Sequence, residues 1–418
     1  MTATEPRQPS DSPAARLSRR EYLEASLKLL WPHPATISFC GRRRIPGGRQ
    51  YILLPGGRNP KVMIPRGPRA VTAAAILNHK ASATWRERLQ LRVMSVGALT
   101  GSTALFPDQV HIVEAGGENA AVADYLSQAL ARPLHVSMYV GAPRANRKPV
   151  LQLISVEGET FAFAKIGVNT LTHHLVRGEA ESLHRLSGHR FEHIVAPEVL
   201  HVGDWEGHPV LVLAALGGRF GRAEPTLQKA MVELAHVGAT EPQNILTTSY
   251  WSRLLGKVQA LPTSALSVAL HQEMPALTEL AGQERVRLGA WHGDWTPWNM
   301  AVADAKIALW DWERFEPEVP WGFDLLHFRL HGSIVRGQAD PRESAARLVA
   351  EAPSLLAPFG VRASAATFTA LAYLVEIAAR YLQDDLAAAG GRLGALDRWL
   401  LPVLSNHLRT PVGQQQRR

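Results

Sequence analysis

The spacing of apolar residues changes character along the chain, and each change marks an element. Ser18-Arg-Arg-Glu21 is a capping-box pattern, and Tyr22, Leu23, Leu27 and Leu30 follow it at helical spacing. The pattern predicts a helix that Pro32 and Pro34 stop. From there to about Val113 the periodicity is weak. Apolar runs at 51–54 and 62–64 read as short strands between Gly-, Pro- and Arg-rich loops, and Asn119 reads as the cap of a helix to about Ala131. The pattern then sharpens. His135–Val140, Lys148–Ser155 and Thr160–Ile166 read as three strands, separated by the loop Gly141–Arg147 and the turn Glu157-Gly158. A helix follows from about Thr172 to Leu186. Two more strands, Glu198–Val202 and Pro209–Ala215, flank a turn at Glu206-Gly207. Short turns between strands favour antiparallel pairing. Leu216–Gly221 reads as a hinge, and the remainder is mainly helical: Thr226–Val237, Ser249–Leu261, Leu266–Leu280, and a strong helix from Ser364 that Gly390-Gly391 ends. A short β segment, Arg285–Phe315, interrupts these helices.

A chain of 418 residues is too long for one small core and implies two or three folded units, or one two-lobed enzyme with an extension. No stretch approaches the roughly 18 uninterrupted apolar residues needed to span a bilayer, so no membrane partner is expected. Residues 1–17 are polar, lack the apolar core of a signal peptide and are expected to be a disordered tail. Cys40 is the only cysteine, which excludes an intramolecular disulfide and a Cys-based zinc site and suits a reducing, cytoplasmic setting. The formal charge of +8 suits an anionic partner such as a nucleotide, a nucleic acid or an acidic lipid. The basic residues are scattered, however, and Arg42-Arg43-Arg44 is the only internal run of three. No aromatic-interleaved basic stripe is present, so a nucleic-acid partner is not expected.

The β segment holds the chemistry. It reads Trp291-His-Gly-Asp294-Trp-Thr-Pro-Trp-Asn299-Met300, then a turn at Asp304-Ala305, then Lys306–Trp310 as a strand ending at Asp311-Trp-Glu313. Phosphoryl transfer needs metal and positive groups to neutralise the transferred group, and an oriented acceptor hydroxyl. A rigid loop offering Asp294 and, five residues later, Asn299 supplies an acceptor-orienting base and a hard oxygen ligand. If residues 300–310 form a hairpin, Asn299 and Asp311 converge on one ion. A lone His-Gly-Asp is common in turns. The ordered set, with Asn at this offset and Asp after a strand, rarely arises as a plain loop. His292 and Asp294 as ligands of a metal-dependent hydrolase is the competing reading, without a further His/Asp cluster at matching spacing.

Upstream, Lys165 sits on the third strand of the sharp run. In the next helix Leu175, Glu179, Leu183 and Leu186 share one face. Glu179 therefore lies on the inward face, where an unpaired carboxylate is costly, and a Lys165–Glu179 ion pair resolves that cost. Arg144, Asn146, Arg147 and Lys148 in the loop before the second strand read equally as phosphate contacts or as a solvated basic turn.

His292-Gly-Asp294 with Asn299, a hairpin and Asp311-Trp-Glu313 resembles the catalytic segment of aminoglycoside phosphotransferases and choline kinases. The resemblance covers roughly Leu134 to Asn406. It implies an α+β, bilobal, protein-kinase-like fold: a five-stranded antiparallel N-lobe sheet over 134–216 and a mainly helical C-lobe over 217–418. An extension of unknown role covers 18–133. It implies Asp294 as catalytic base, Asn299 and Asp311 as Mg²⁺ ligands, and His292 as a brace of the loop. Asp324, within Phe323-Asp324-Leu325, corresponds to a loop-bracing Asp in the family. It implies nucleotide contacts from Lys165, Glu179, Arg144, Arg147 and the linker backbone near Ala215, with ATP or GTP as co-substrate and a small-molecule acceptor. The chain departs from a protein kinase in two places: its phosphate loop has a single glycine, Gly141, and Asp311 is followed by Trp-Glu rather than Phe-Gly. A nucleotide-binding pseudoenzyme acting as a scaffold is the alternative function. Glu313, Glu316, Glu318, Asp384 and Asp385 read either as attractors of a cationic acceptor or as ordinary structural acids.

Overall fold

The computed structural model describes residues 17–41, 47–78, 85–101, 108–114, 121–217, 224–282, 284–384 and 393–409. Residues 1–16, the Arg42–Arg44 run, Asn119, most of the hinge reading at 216–221, Asp385 and Gly390-Gly391 lie outside them. The fold is mixed α+β, in two compact units: residues 13–187 with 196–217, and residues 188–195 with 218–418.

The first unit is built on one mixed-length antiparallel sheet. Helix α1 (Arg19–Leu30) starts at Ser18, whose side chain accepts from the Glu21 N–H while the Glu21 carboxylate accepts from the Ser18 N–H. Such a cap contributes about 1 kcal/mol. The strands that follow are β1 (Thr36–Cys40), β2 (Arg49–Leu54), β3 (Val62–Pro65), β4 (Gln109–Val113), β5 (His135–Tyr139), β6 (Val150–Ile154), β7 (Thr160–Ile166), β9 (Val199–Trp205) and β10 (His208–Ala214). Their order in the sheet is β1-β4-β2-β3-β5-β6-β7-β10-β9. The expected five strands are present as β5-β6-β7-β10-β9, but the sheet has nine. The four additional described strands come from the N-terminal extension: β3 pairs with β5 and continues the sheet through β2, β4 and β1. One core packs Leu23, Leu27, Leu30 and Trp31 with Val136, Leu151, Ala162 and Ala164. A second packs Ile52, Ile64, Val71 and Ile76. Helices α2 (Arg69–Asn78), α3 (Trp85–Leu99), α4 (Val122–Ala129) and α5 (Thr170–Leu186) complete this unit.

The second unit is mainly helical. It contains α6 (Glu224–Ala235), α7 (Ser249–Gln259), α8 (Ala265–Gly282), α9 (Phe323–His331), α10 (Pro341–Leu356), α11 (Ala363–Gln383) and α12 (Leu400–Arg409). Helix α11 is the one described helix long and apolar enough to cross a membrane, but 83% of its apolar window is buried, as befits the central core helix of this unit. It packs Phe368, Leu371, Leu374 and Ile377 against Tyr250, Trp251, Leu270 and Leu348. Short strands thread this unit, beginning with β11 (Gln243–Asn244) paired with β12 (Arg285–Val286). β13 (Leu288–Trp291) pairs with β16 (Glu316–Pro320), and β14 (Met300–Ala303) and β15 (Lys306–Leu309) form a hairpin that β8 (Ile194–Val195) joins in parallel. The hairpin turns at Asp304 and Ala305, both with positive φ. The turn expected from the sequence is therefore where the chain reverses.

Candidate active site

In the sheet-bearing unit, β7 lies between β6 and β10. Lys165 is opposite Val150 on one side and Leu211 on the other, so its backbone is fixed by two neighbours. Alternation sends Ala162, Ala164 and Ile166 into the first core and Lys165 to the opposite face. Helix α5 is opened by an Asn169 cap and presents Leu175, Val176, Glu179, Leu183 and Leu186 inward. Lys165 Nζ donates to both Glu179 oxygens, at 2.7 and 2.6 Å. The side chains are 7% and 0% exposed. The pairing inferred from helix periodicity is thus formed, and it is buried.

Two other residues expected at the nucleotide stand differently. Arg144 is exposed in the loop after β5. Arg147 is buried: its guanidinium lies 3.6 Å from the Tyr22 ring centroid and donates to the Leu17 carbonyl. Burial pulls its pKa down to about 10. Arg147 therefore anchors α1 rather than reaching a phosphate, because the ring of Tyr22 offers the cation a closer partner than solvent does. Ala215 uses its N–H on the Phe161 carbonyl at 2.8 Å, so that donor is committed to the sheet, not to a base edge.

In the helical unit, the loop between β13 and β14 carries Asp294 and Asn299. Its conformation is fixed from three directions. Buried Asp324 accepts from the His292 N–H (2.8 Å) and the Gly293 N–H (3.2 Å). Arg380 donates to the Gly293 carbonyl at 2.6 Å. His292 donates from Nε2 to the Trp310 carbonyl and accepts from the Asp294 N–H at Nδ1. Both ring nitrogens of His292 are engaged. It braces the loop and has no lone pair left for a metal, which removes the hydrolase reading. Gly293 has a φ of +82°, and a Cβ there would collide with the Arg314 carbonyl. Gly293→Ala is expected to destabilise the helical unit by about 3 kcal/mol through left-handed strain plus overpacking, read as a drop in the urea midpoint.

Asp294 is held on both oxygens: Oδ2 accepts from Asn299 Nδ2 at 2.8 Å and Oδ1 from His327 Nε2 at 3.1 Å. Its side chain is still 39% exposed, enough to meet a substrate. Asn299 opens the hairpin. Its carbonyl accepts from the Trp310 N–H at 3.1 Å, one residue before Asp311. Asp311 has a φ of +65°. The hairpin thus brings the Asn299 and Asp311 positions to its open end, where Asn299 is bonded to Asp294. Asn299 gives its Nδ2 to Asp294, which leaves Oδ1 as the hard oxygen a metal prefers. No group of three or more His, Cys, Asp or Glu side chains suited to a metal occurs among the described residues. A site of one amide and one carboxylate fits Mg²⁺, which takes its remaining ligands from phosphate and water.

Three residues around Asp294 were not legible as site residues: His327, Tyr373 and Arg380. The Tyr373 hydroxyl donates to His327 Nδ1 at 3.0 Å. His327 stacks on His331, with ring centroids 3.8 Å apart. Burial pushes both histidines well below their ordinary pKa, so both are neutral at physiological pH. The signal that could have found them is the repeat of histidine on the apolar face of α9, next to Leu326 and Leu330.

Three of the acids weighed as attractors of a cationic acceptor, Glu316, Glu318 and Asp384, are engaged within the protein. Glu316 and the buried Glu376 share Lys257, both at 2.6 Å, Glu318 pairs with Arg253 and Ser249, and Asp384 pairs with Arg314. Those pairs give Glu316, Glu318 and Asp384 structural partners inside the protein.

Burial also pushes the Asp324 carboxyl from 3.8 up to about 7, against the opposing pull of the two N–H groups and Arg380. Between these values the folded state holds a proton that the unfolded state has released. The stability this group contributes is therefore full below about pH 4 and is lost as pH rises through about 7. The stability difference between wild type and Asp324→Asn, from urea denaturation, is expected to move against the wild type between about pH 4.5 and 7.5. A difference that does not change over that range would show that Asp324 stays ionised.

No family model matches the chain, and no curated protein matches it. Among solved structures it is similar to a thermostable mutant of aminoglycoside phosphotransferase APH(4)-Ia in ternary complex with ADP and hygromycin B, at 12% identity and TM-score 0.47, over 70% of this chain and 100% of that one. It is also similar to amicoumacin kinase hAmiN in complex with AMP-PNP, Ca²⁺ and Ami, at 16% identity and TM-score 0.42, over 66% and 90%. A glucosamine kinase aligns at 16% identity and TM-score 0.34, over 72% and 86%.

Proposed function

We propose that this chain is a phosphotransferase that moves the γ-phosphoryl group of ATP or GTP to a hydroxyl of a small molecule. The observation that carries the reading is the half-exposed Asp294 carboxylate, fixed on both oxygens, with Asn299 and Asp311 together at the mouth of the adjoining hairpin. Asp294 orients the acceptor hydroxyl and takes its proton as the oxygen attacks the γ-phosphorus, and the β–γ bridging oxygen leaves with the nucleoside diphosphate. Asn299 and Asp311 would hold Mg²⁺, which when bound would neutralise phosphate charge. Lys165, kept in one rotamer by Glu179, contacts the phosphates, and the exposed Arg144 is free to join it. Most of the rate then comes from positioning and charge neutralisation, since phosphoryl transfer asks little covalent chemistry of the protein. Trp312-Glu313 after Asp311, and the lack of an Ala-Pro-Glu triplet downstream, favour small-molecule over protein acceptors.

The test is transfer of γ-labelled phosphate from ATP or GTP, with Mg²⁺, into a pool of small-molecule hydroxyl compounds that includes sugars, amino alcohols and aminoglycosides. A labelled small molecule is the expected product. Label in protein bands alone would point to a protein kinase. Mg²⁺-dependent nucleotide binding with no label anywhere would favour the scaffold.

A further inference from the structure

Asp294 needs more than one bond to stay in place. Its two oxygens have different partners, and only one partner is independent of the metal. Asn299 Nδ2 belongs to a residue whose Oδ1 is already assigned to the proposed metal. His327 has no such second duty: it is 2% exposed, rises from α9, and aims Nε2 at Oδ1. We propose that His327, its ring held at Nδ1 by the Tyr373 hydroxyl, is the positioning residue of Asp294, fixing the carboxylate for the acceptor hydroxyl. The inference rests on the phosphotransferase reading and adds to it a residue absent from the sequence-derived set.

Partner chemistry dictates the tautomer. Nε2 faces a carboxylate and must donate, and Nδ1 of the neutral ring must then accept, which the Tyr373 hydroxyl satisfies. A neutral donor suits the task. An imidazolium would hold Asp294 as firmly, but it would lower the basicity of the carboxylate through a full ion pair. Desolvation, with Arg380 and His292 nearby, keeps the ring uncharged.

A buried histidine on an apolar helix face is more often a satisfied core residue, and the same helix contains one. His331 Nδ1 bonds the His327 carbonyl one turn back, and its Nε2 bonds the Tyr381 hydroxyl, so every polar atom is used inside the core. His327 differs because its bond ends on a solvent-reaching carboxylate.

The test compares His327→Gln, His327→Leu and Tyr373→Phe in the full chain, with kcat and both KM values measured by phosphate transfer. Glutamine can donate from nearly the position of Nε2, whereas leucine fills the space without a donor. His327→Leu is expected to lower kcat on the order of 100-fold, as misplacement of a reacting group does, with both KM values within about 3-fold. His327→Gln is expected to recover at least about 10-fold of that loss. Tyr373→Phe is expected to fall between them, because the ring keeps Nε2–H but loses its lock. Equal kcat in the glutamine and leucine variants, or a loss confined to thermal stability, overturns the inference while leaving the phosphotransferase reading intact. Should leucine fail to fold, the glutamine and Tyr373→Phe variants carry the comparison: a kcat unchanged in Tyr373→Phe would overturn the lock. A wild-type protein that transfers no phosphate removes the reading itself, and the inference with it.

Discussion

Lys165→Met is expected to destabilise the sheet-bearing unit by about 3–5 kcal/mol and to abolish transfer. Methionine matches the length of the lysine stem, so the cost is not a cavity. It is the Glu179 carboxylate, fully buried and stripped of both Nζ contacts. Glu179→Gln should cost less, because an amide oxygen still accepts from Nζ and the buried ammonium keeps a hydrogen-bond acceptor. The decisive variant is Lys165→Met with Glu179→Leu. Replacing a buried ion pair by apolar residues of similar volume is often neutral or stabilising by about 1–4 kcal/mol. The double variant should therefore regain the urea midpoint of the wild type and still transfer nothing. That separation follows from a general point: a buried Lys–Glu pair is a poor device for stability alone. The Lys165 backbone is fixed on β7 between two strands and its Nζ by Glu179, so the pair is better explained as a cation kept in one place for a ligand. A double variant with recovered stability and intact transfer would strip Lys165 of its role.

The elements that read clearly from sequence are those with one dominant physical signal. The Ser18 capping box, β7, the inward face of α5 and the Asp304-Ala305 turn each follow from local chemistry, and each forms. The Lys165–Glu179 pair was legible for the same reason: a lone carboxylate on an apolar helix face demands a partner. The additional strands were not legible as part of the sheet, and the reason is burial on both faces. β2 and β3 contribute Ile52, Leu54, Val62 and Ile64 to one core and Tyr51, Leu53 and Met63 to the other. A strand covered on both sides reads as a short apolar run without polar alternation, and such runs carry no information about which neighbour they pair with. Arg147 failed for the opposite reason. Its loop composition read as a phosphate contact or a solvated turn, whereas α1, far away in sequence, supplied the Tyr22 ring that covers it. His327, Tyr373 and Arg380 lie on α9 and α11, and their convergence on the Asp294 loop depends on helix packing that no spacing within one helix reports.

Asp294→Asn is expected to lower kcat by about 10²–10⁴-fold, the range associated with loss of a positioned general base, while Mg²⁺-dependent nucleotide affinity stays within about 3-fold. The substitution is nearly isosteric, yet it changes the hydrogen bonding in a definite way. The carboxylate accepts twice, from Asn299 Nδ2 and from His327 Nε2. An asparagine has one accepting oxygen and would turn an NH₂ group toward one of these donors. His327 can relieve the conflict by shifting its proton to Nδ1, since the Tyr373 hydroxyl can rotate from donor to acceptor. The loop can then stay closed around an amide, with a stability loss of at most about 1–3 kcal/mol. Activity and stability are therefore expected to separate: a folded protein that binds nucleotide and does not transfer. The measurement is kcat at saturating nucleotide and acceptor, alongside the urea midpoint. A variant that turns over within about 10-fold of wild type would show that the hydroxyl proton leaves by another route, and that Asp294 serves at most to orient the acceptor.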